Sequence, residues 1–299
     1  MPPVHADRRA LILGLAAVFL WSTVATAFKI ALRYVDVYQL LLYASLSSAC
    51  VLLLVVSYRR QLPLLFSYLR RRPGYYLGMA ALNPCLYYLV LFNAYDRLPA
   101  QQAQAINYSW AVTLALMAIP LLGQSLQRRD VLAALLGYGG VLIIATRGDV
   151  LALQFDSVPG VGLALLSTVL WAYYWIASTR NTGDAAVSLC LNFLLAVPLC
   201  LLLCVTFSTL VVPELPGLGA AIYVGLFEMG VTFMLWSAAL KSASRVARVG
   251  NLIFLAPFLS LVFIHTILDE PIHPATLLGL CLIIPAALLQ QVQSPGAAK

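Results

Sequence analysis

Long apolar runs dominate this sequence and constrain its fold more than any other feature. A helix needs about 20 apolar residues to cross the hydrocarbon core of a bilayer, and these runs do not alternate in polarity as barrel strands do. Only 10% of the residues are charged, against about 25% in soluble proteins, so a water-soluble domain is excluded. We expect an all-α integral membrane protein with ten transmembrane helices. The predicted spans are Ala10–Leu32, Val37–Ser57, Tyr75–Tyr95, Ala100–Leu122, Val131–Thr146, Ser157–Ala177, Ala185–Phe207, Leu218–Leu240, Ala243–Leu268 and Pro274–Gln291.

The basic residues predict how these helices are oriented. With the N-terminus in the cytoplasm, fourteen of the 18 lysines and arginines fall on the cytoplasmic side, as the positive-inside rule requires. They are Arg8, Arg9, Arg59, Arg60, Arg70, Arg71, Arg72, Arg128, Arg129, Arg180, Lys241, Arg245, Arg248 and Lys299. We therefore expect a multi-pass protein of the cell (inner) membrane with both termini in the cytoplasm. The basic residues of this topology account for the net charge of +7. The sequence contains no long basic arm and no Cys/His finger pattern that would indicate binding to nucleic acid.

The two halves of the chain contain similar segments in the same order. The matches pair Leu15-Ala-Ala-Val-Phe-Leu-Trp21-Ser with Leu165-Leu-Ser-Thr-Val-Leu-Trp171-Ala, Asn83 with Glu228, and Asn107 with Asn251. Ten helices then divide into five and five, and an odd number makes the second half enter the membrane from the opposite side. We expect two inverted five-helix repeats, residues 1–150 and 151–299, around a central cavity.

Several short motifs carry a family resemblance. They are Gly14-Leu-Ala-Ala-Val-Phe-Leu-Trp-Ser-Thr, Asn107-Tyr-Ser-Trp110, Leu170-Trp-Ala-Tyr, Ala239-Leu-Lys-Ser-Ala-Ser followed by Pro257, and Asp269-Glu270. With these motifs the chain resembles, over nearly its whole length, the ten-helix EamA-type members of the drug/metabolite transporter superfamily. The resemblance implies export of aromatic and other neutral amino acids through a cavity lined by the first, third, fourth, sixth, eighth and ninth helices. Export of other small metabolites or drugs is the alternative.

Tryptophans at mid-span are the first candidates for a substrate site. A membrane tryptophan usually sits at the interface, but Trp21 lies at the middle of its span and Trp171 past the middle of its own. Because a buried indole N–H needs a partner, we expect both to line the cavity or to pack between repeats. The predicted substrate-binding residues are Trp21, Asn83, Tyr87, Asn107, Tyr108, Trp110, Trp171, Trp175, Glu228 and Asn251.

Glu228 is the only acid inside a predicted span. A carboxylate at bilayer depth is costly, so this side chain is expected to be protonated, to face water, or to bind an ammonium group. A proton relay, a substrate contact and a hydrogen-bonded structural carboxyl all fit the sequence. Asn83 precedes Pro84, which removes a donor and loosens the preceding turn, and freed carbonyls are tolerated where they line a cavity.

Other functional classes find little support in the sequence. A membrane-embedded enzyme would need an acid/base, nucleophile or metal cluster, and the six cysteines and three histidines share no metal-ligand spacing. The glycines of Gly137-Tyr-Gly-Gly140 lack the lysine of a phosphate loop, which favours close helix packing. We expect no cofactor, no direct ATP coupling and no enzymatic activity. The expected partners are a small-molecule substrate, an amino acid, and the lipid bilayer, with self-association and proton coupling left open.

Overall fold

A computed structural model describes residues 4–243 and 249–291 of the chain. Every regular element in these two ranges is helical, and none of the residues in them forms a strand. The α-helices are α1 (Val4–Leu32), α2 (Val37–Tyr58), α3 (Leu62–Arg71), α4 (Pro73–Ala80), α5 (Tyr87–Arg97), α6 (Ala100–Asn107), α7 (Trp110–Leu122), α8 (Arg128–Ala145), α9 (Val158–Ser178), α10 (Ala185–Phe207), α11 (Leu215–Tyr223), α12 (Val231–Ser242), α13 (Ala256–Leu268) and α14 (Pro274–Gln291). Two π-helical turns, Ala81–Leu86 and Val224–Glu228, and the 3-10 turn Asn251–Leu255 join some of them.

Eight segments of the described chain are long and apolar enough to cross a membrane. They are Asp7–Leu32, Val37–Tyr58, Pro73–Arg97, Ala100–Leu122, Val158–Ser178, Ala185–Phe207, Leu215–Ser242 and Asn251–Leu268. The fifth and tenth predicted spans are present as the shorter helices α8, which begins with Arg128, Arg129 and Asp130, and α14, whose apolar part is Pro274–Leu289. The all-helical, multi-pass architecture is thus confirmed, while the number of ten spans stays a prediction. Three of the basic residues that predict the topology, Arg245, Arg248 and Lys299, lie outside the described ranges.

Side-chain caps begin several of the long helices. The carboxylate of Asp36 accepts hydrogen bonds from the backbone N–H groups of Tyr38 and Gln39, and the Gln39 amide oxygen accepts from the Asp36 N–H, which completes a capping box at α2. At the start of α10, the carboxylate of Asp184 accepts hydrogen bonds from the backbone N–H groups of Ala186 and Val187. Caps satisfy donors that have no partner within the helix, so these apolar helices begin where the chain leaves its polar loops.

Residue exposure follows the pattern of a protein whose solvent is lipid. Large aliphatic side chains lie open on the outside of the spans, with Leu54 and Leu135 each 70% exposed. Hydroxyl side chains lie inside, and many bond to their own helix, as Ser22 does when it donates to the carbonyl of Val18 at 2.6 Å. Such bonds satisfy polar groups that would otherwise be costly in hydrocarbon.

The chain forms two compact units, each of which takes segments from both halves. The first unit comprises Met1–Phe92 and Thr182–Asp269. Within its described part, α2 packs along α10, and α1 packs against α11, α12 and α13. Cys85 and Cys200 meet inside it with their sulfur atoms 3.2 Å apart, as small buried hydrophobic side chains do.

The second unit comprises Asn93–Asn181 and Glu270–Lys299. Its main contacts pair α8 with α14 and α7 with α9, and α6 lies against α8 and α9. Gly140 of α8 lies so close to α14 that a Cβ atom on it would stand 2.6 Å from the backbone oxygen of Gly279. Gly140 therefore serves close helix packing, as predicted for this cluster, whereas a Cβ on Gly139 would meet nothing within 4 Å.

The short helix α3 was predicted as part of a loop. It follows α2 after a three-residue link and is separated from α4 by Arg72 alone. Pro63 in its first turn is compatible with a helix start. Tyr68 anchors it, because the phenol oxygen accepts a hydrogen bond from the backbone N–H of Asp184 at 2.9 Å and the ring stacks on that of Tyr76.

We expect Gly140→Ala to destabilise the protein and Gly139→Ala to leave it intact or slightly stabilised. A Cβ on Gly140 collides with the backbone of Gly279, whereas a Cβ on Gly139 meets nothing within 4 Å. Overpacking costs about 1–3 kcal/mol, and exchanging glycine for alanine within a helix otherwise gains up to ~1 kcal/mol. Thermal unfolding of both variants in detergent measures the difference. Equal melting temperatures for the two variants would contradict the close contact of α8 and α14.

Candidate functional site

The third predicted span is interrupted at Asn83. The backbone of this residue leaves the helical region, with φ −141° and ψ 116°, inside the π-helical turn Ala81–Leu86. Pro84 follows and cannot donate a hydrogen bond, so the break lies where the sequence predicted it. Asn83 is only 2% exposed, and its side-chain oxygen has no hydrogen-bond partner among the described residues.

A second interruption lies in the span Leu215–Ser242. The π-helical turn Val224–Glu228 is followed by Gly230, whose φ of −119° and ψ of −88° are not helical. The turn lies directly against α2, because a Cβ on Gly225 would overlap the backbone oxygen of Ala44. Glu228 closes this turn, at the position that the internal match pairs with Asn83. Single π-helical turns within helices are frequent at functional sites.

Glu228 has a defined partner in the first unit. The hydroxyl of Tyr88 donates a hydrogen bond to its carboxyl at 3.2 Å. Tyr88 itself is 1% exposed, and its ring contacts those of Tyr87 and Phe92. A buried phenol thus holds the carboxyl. This phenol belongs to α5, which begins directly after the break at Asn83.

Trp21 belongs to an aromatic cluster in the same unit. Its ring lies 5.5 Å from the rings of Phe233 and Trp236, both at edge-on angles. These two residues are three apart on α12, directly after the second break. Two residues later on α1, the hydroxyl groups of Thr23 and Tyr223 are 2.7 Å apart. Helix α1 therefore contacts the broken helix through both an aromatic ring and a hydroxyl group.

The second unit contains a separate group of predicted site residues. The side-chain amide of Asn107 donates to the hydroxyl of Ser167 at 2.8 Å. Thr113 is within hydrogen-bond distance of both Thr168 and Tyr138, at 3.0 and 2.9 Å. These bonds link α6 to α9, and α7 to both α8 and α9, through side chains that would be costly to leave unpaired in a membrane.

Trp171 lies on α9 one turn after Ser167, on the same face of the helix. It is 8% exposed, stacks on the ring of Tyr174 with 5.4 Å between centroids, and meets Trp175 edge-on at 5.9 Å. Trp175 is 37% exposed. An aromatic wall therefore continues from the Asn107–Ser167 pair along α9.

The remaining predicted residues differ in their surroundings. Tyr87 is 3% exposed, Tyr108 and Trp110 are partly buried around the junction of α6 and α7, and Asn251 is exposed at the start of its 3-10 turn. The structure brings Trp21, Asn83, Tyr87, Glu228 and Asn251 into the first unit, and Asn107, Tyr108, Trp110, Trp171 and Trp175 into the second.

The amides at the start of the fourth span have structural partners. Gln101 donates to the carbonyl of Pro271 at 2.7 Å and accepts from the backbone N–H of His273. Gln102 donates to the carbonyl of Ile144 at 3.0 Å. Both amides therefore hold neighbouring segments of the second unit together.

Tyr88, Phe233, Trp236 and Ser167 were not among the predicted site residues. Helical spacing contained part of the signal, since Ser167 lies four residues before Trp171, and Phe233 lies three before Trp236. Their partners come from distant parts of the chain, which spacing alone does not identify. Within the described ranges, no group of three or more His, Cys, Asp or Glu residues is arranged to hold a metal ion.

The first unit offers a ligand three kinds of chemical group. They are aromatic rings, the amide of Asn83 and the carboxyl of Glu228, and the last two lie at helix breaks. A carboxylate can pair with an ammonium group, an aromatic ring can receive either an apolar side chain or a cation on its face, and interrupted helices expose backbone groups to polar ligands. The second unit presents an amide–hydroxyl pair beside a stacked aromatic wall. These features suit small amphipathic molecules with one charged and one apolar end.

Comparison with known proteins gives consistent matches. The aromatic amino acid exporter YddG of Ancylobacter novellus is 28% identical over 176 residues, which cover 58% of this chain and 61% of the exporter, less than two thirds of its length. The uncharacterized transporter YvbV of Bacillus subtilis is 28% identical over 224 residues, covering 73% of this chain and 72% of that protein. A solved crystal structure matches with a TM-score of 0.67 at 25% identity, covering 94% of this chain and 97% of the other.

The model of the EamA-like transporter family matches residues 8–146 and 158–290. These two stretches account for most of the chain, and each includes one of the two broken helices. The chain therefore belongs to the EamA-like transporter family, within the drug/metabolite transporter superfamily.

Proposed function

We propose that this transporter exports aromatic and other neutral amino acids across the cell (inner) membrane by alternating access. The observation that carries the proposal is the combination of the Tyr88–Glu228 pair with the aromatic cluster around Trp21 in one unit. A carboxylate suits the ammonium group of an amino acid, and the rings suit its aromatic side chain. The similarity to an exporter of aromatic amino acids supports this cargo.

The ligand groups are assigned to the ten predicted site residues by chemistry. Glu228 receives the substrate ammonium group, and the buried amide of Asn83 lies at the other helix break. In the second unit, the amide of Asn107 is available to a polar group, and Trp171 offers a ring face. Tyr87, Tyr108, Trp110, Trp175, Trp21 and Asn251 complete the proposed set.

The two helix breaks support the proposal of inverted repeats. Asn83 and Glu228, which the internal match pairs, both lie in π-helical turns in the middle of a span. The two stretches matched by the family model lie within residues 1–150 and 151–299. Repeats of five helices with opposite orientation provide two states related by symmetry, which is the basis of alternating access in many transporters.

We expect Trp171→Ala to lower the transport of phenylalanine and tyrosine into proteoliposomes by roughly 2- to 10-fold, which corresponds to one lost aromatic contact. Tyr173→Ala is the matched control, because Tyr173 lies on the same turn of α9 but is 48% exposed on the outside of the helix. The control should transport at the wild-type rate. If both variants transport alike, Trp171 does not contact the substrate.

We expect Glu228→Gln to lower downhill flux by roughly 10-fold at every pH, because glutamine still accepts the hydrogen bond from Tyr88 but cannot pair its charge with the substrate ammonium group. Glu214→Gln, at an exposed residue, is the control for a lost acid. Flux and accumulation driven by a pH gradient are measured in the same vesicles. Downhill flux that stays at the wild-type level would contradict the ammonium contact, and loss of gradient-driven accumulation at unchanged downhill flux would instead establish proton coupling through Glu228.

We expect both termini to face the cytoplasm and the loop between α8 and α9 to face outward. In a cysteine-free background, Leu153→Cys should react with a membrane-impermeant maleimide added to intact cells, since Leu153 is 57% exposed in this loop. Ser125→Cys, exposed before α8, should react only after the cells are opened. The opposite labelling pattern would reverse the topology.

A further inference from the structure

Helix α3 has the features of a helix that lies in the membrane interface. It joins α2, whose span ends at Tyr58, to α4, whose span begins at Pro73. Tyr68 bonds to Asp184, which caps the start of another span, α10. Three span ends therefore surround α3. This places the helix at the boundary between the hydrocarbon core and the lipid headgroups.

The outward side of α3 carries an apolar row. Leu62 and Phe66 are one helical turn apart and are 45% and 69% exposed. The opposite side is fixed to the first unit through Tyr68, since a Cβ on Gly183 would lie 2.6 Å from the Tyr68 ring. The open apolar row is therefore held in a fixed direction.

Five exposed arginines flank this row, two before the helix and three at or after its end. They are Arg59, Arg60, Arg70, Arg71 and Arg72. The chain contains no acidic residue between Asp36 and Asp96, and Arg59, Arg60, Arg70 and Arg71 make no ion pair with any residue in the described ranges. The carboxylate of the neighbouring Asp184 is occupied by the cap of α10.

We propose that α3 and its flanking arginines form a binding surface for anionic phospholipids. The apolar row enters the acyl boundary while the guanidinium groups pair with phosphate groups of the same leaflet. An amphipathic helix with basic flanks binds membranes in this way, and arginine matches phosphate with paired donors. Each basic residue near an anionic membrane surface raises binding by about fivefold.

The test measures lipid retention by the purified full-length protein with native mass spectrometry. Phosphatidylglycerol and phosphatidylethanolamine with identical acyl chains are supplied in equal amounts. Wild type should retain more phosphatidylglycerol. The triple variant Arg59→Gln/Arg70→Gln/Arg71→Gln should lose this preference by about tenfold or more. The control Arg33→Gln/Arg97→Gln/Arg147→Gln removes the same charge from exposed residues elsewhere and should retain it.

Hydrogen exchange of the backbone amides of residues 62–71 provides a second measurement that needs no arginine variant. Exchange should be slower in nanodiscs containing phosphatidylglycerol than in phosphatidylcholine alone, and Leu62→Ser/Phe66→Ser should abolish the difference. Soluble glycerophosphoglycerol should not reproduce the protection, because it lacks acyl chains. Equal retention of both lipids by wild type, an unaffected arginine variant, or protection by the soluble headgroup would each overturn the proposal.

Discussion

Backbone hydrogen bonding in hydrocarbon is the constraint on which this structure depends. An unpaired peptide group in the bilayer core costs several kcal/mol, so the chain crosses the membrane as helices and interrupts them rarely. The two π-helical interruptions within spans, Ala81–Leu86 and Val224–Glu228, are each covered by protein. The Cys85 sulfur lies 3.8 Å from the carbonyl oxygen of Ala196 on α10, and Gly225 touches the backbone of α2. Asn83 and Glu228, two of the proposed site residues, therefore lie where the fold can tolerate irregular backbone.

The sequence predicts the architecture well because the membrane imposes it. Apolar length identifies the spans, and Pro84 identifies the break at Asn83, since proline lacks the donor that a helix requires. The second break has no proline. It depends on the close approach of Gly225 to α2, a contact between residues far apart in the chain that no local pattern records.

Prediction of the site is less complete, for a related reason. The depth of Trp21 and the lone acid Glu228 are visible in the sequence, but their partners Trp236 and Tyr88 are not, because each comes from another span. Gln101 illustrates the reverse case. Its amide fits a polar site equally well in sequence, yet in the structure it fastens Pro271 and His273. The sequence does not predict helix α3, because the segment is too short to span a membrane. Arginines lie on both sides of it, as they do in a cytoplasmic loop.

The interleaved composition of the two units has a consequence for biogenesis. Helix α8 is synthesised and released from the ribosome well before α14, the helix that its glycine face contacts. Likewise, α2 precedes α10 by more than half of the described chain. Early helices must therefore reside in the bilayer while lipid covers the surfaces that later helices will contact. The later helices then displace this lipid. Assembly of both units is then completed within the membrane after insertion, and the order of translation alone cannot direct it.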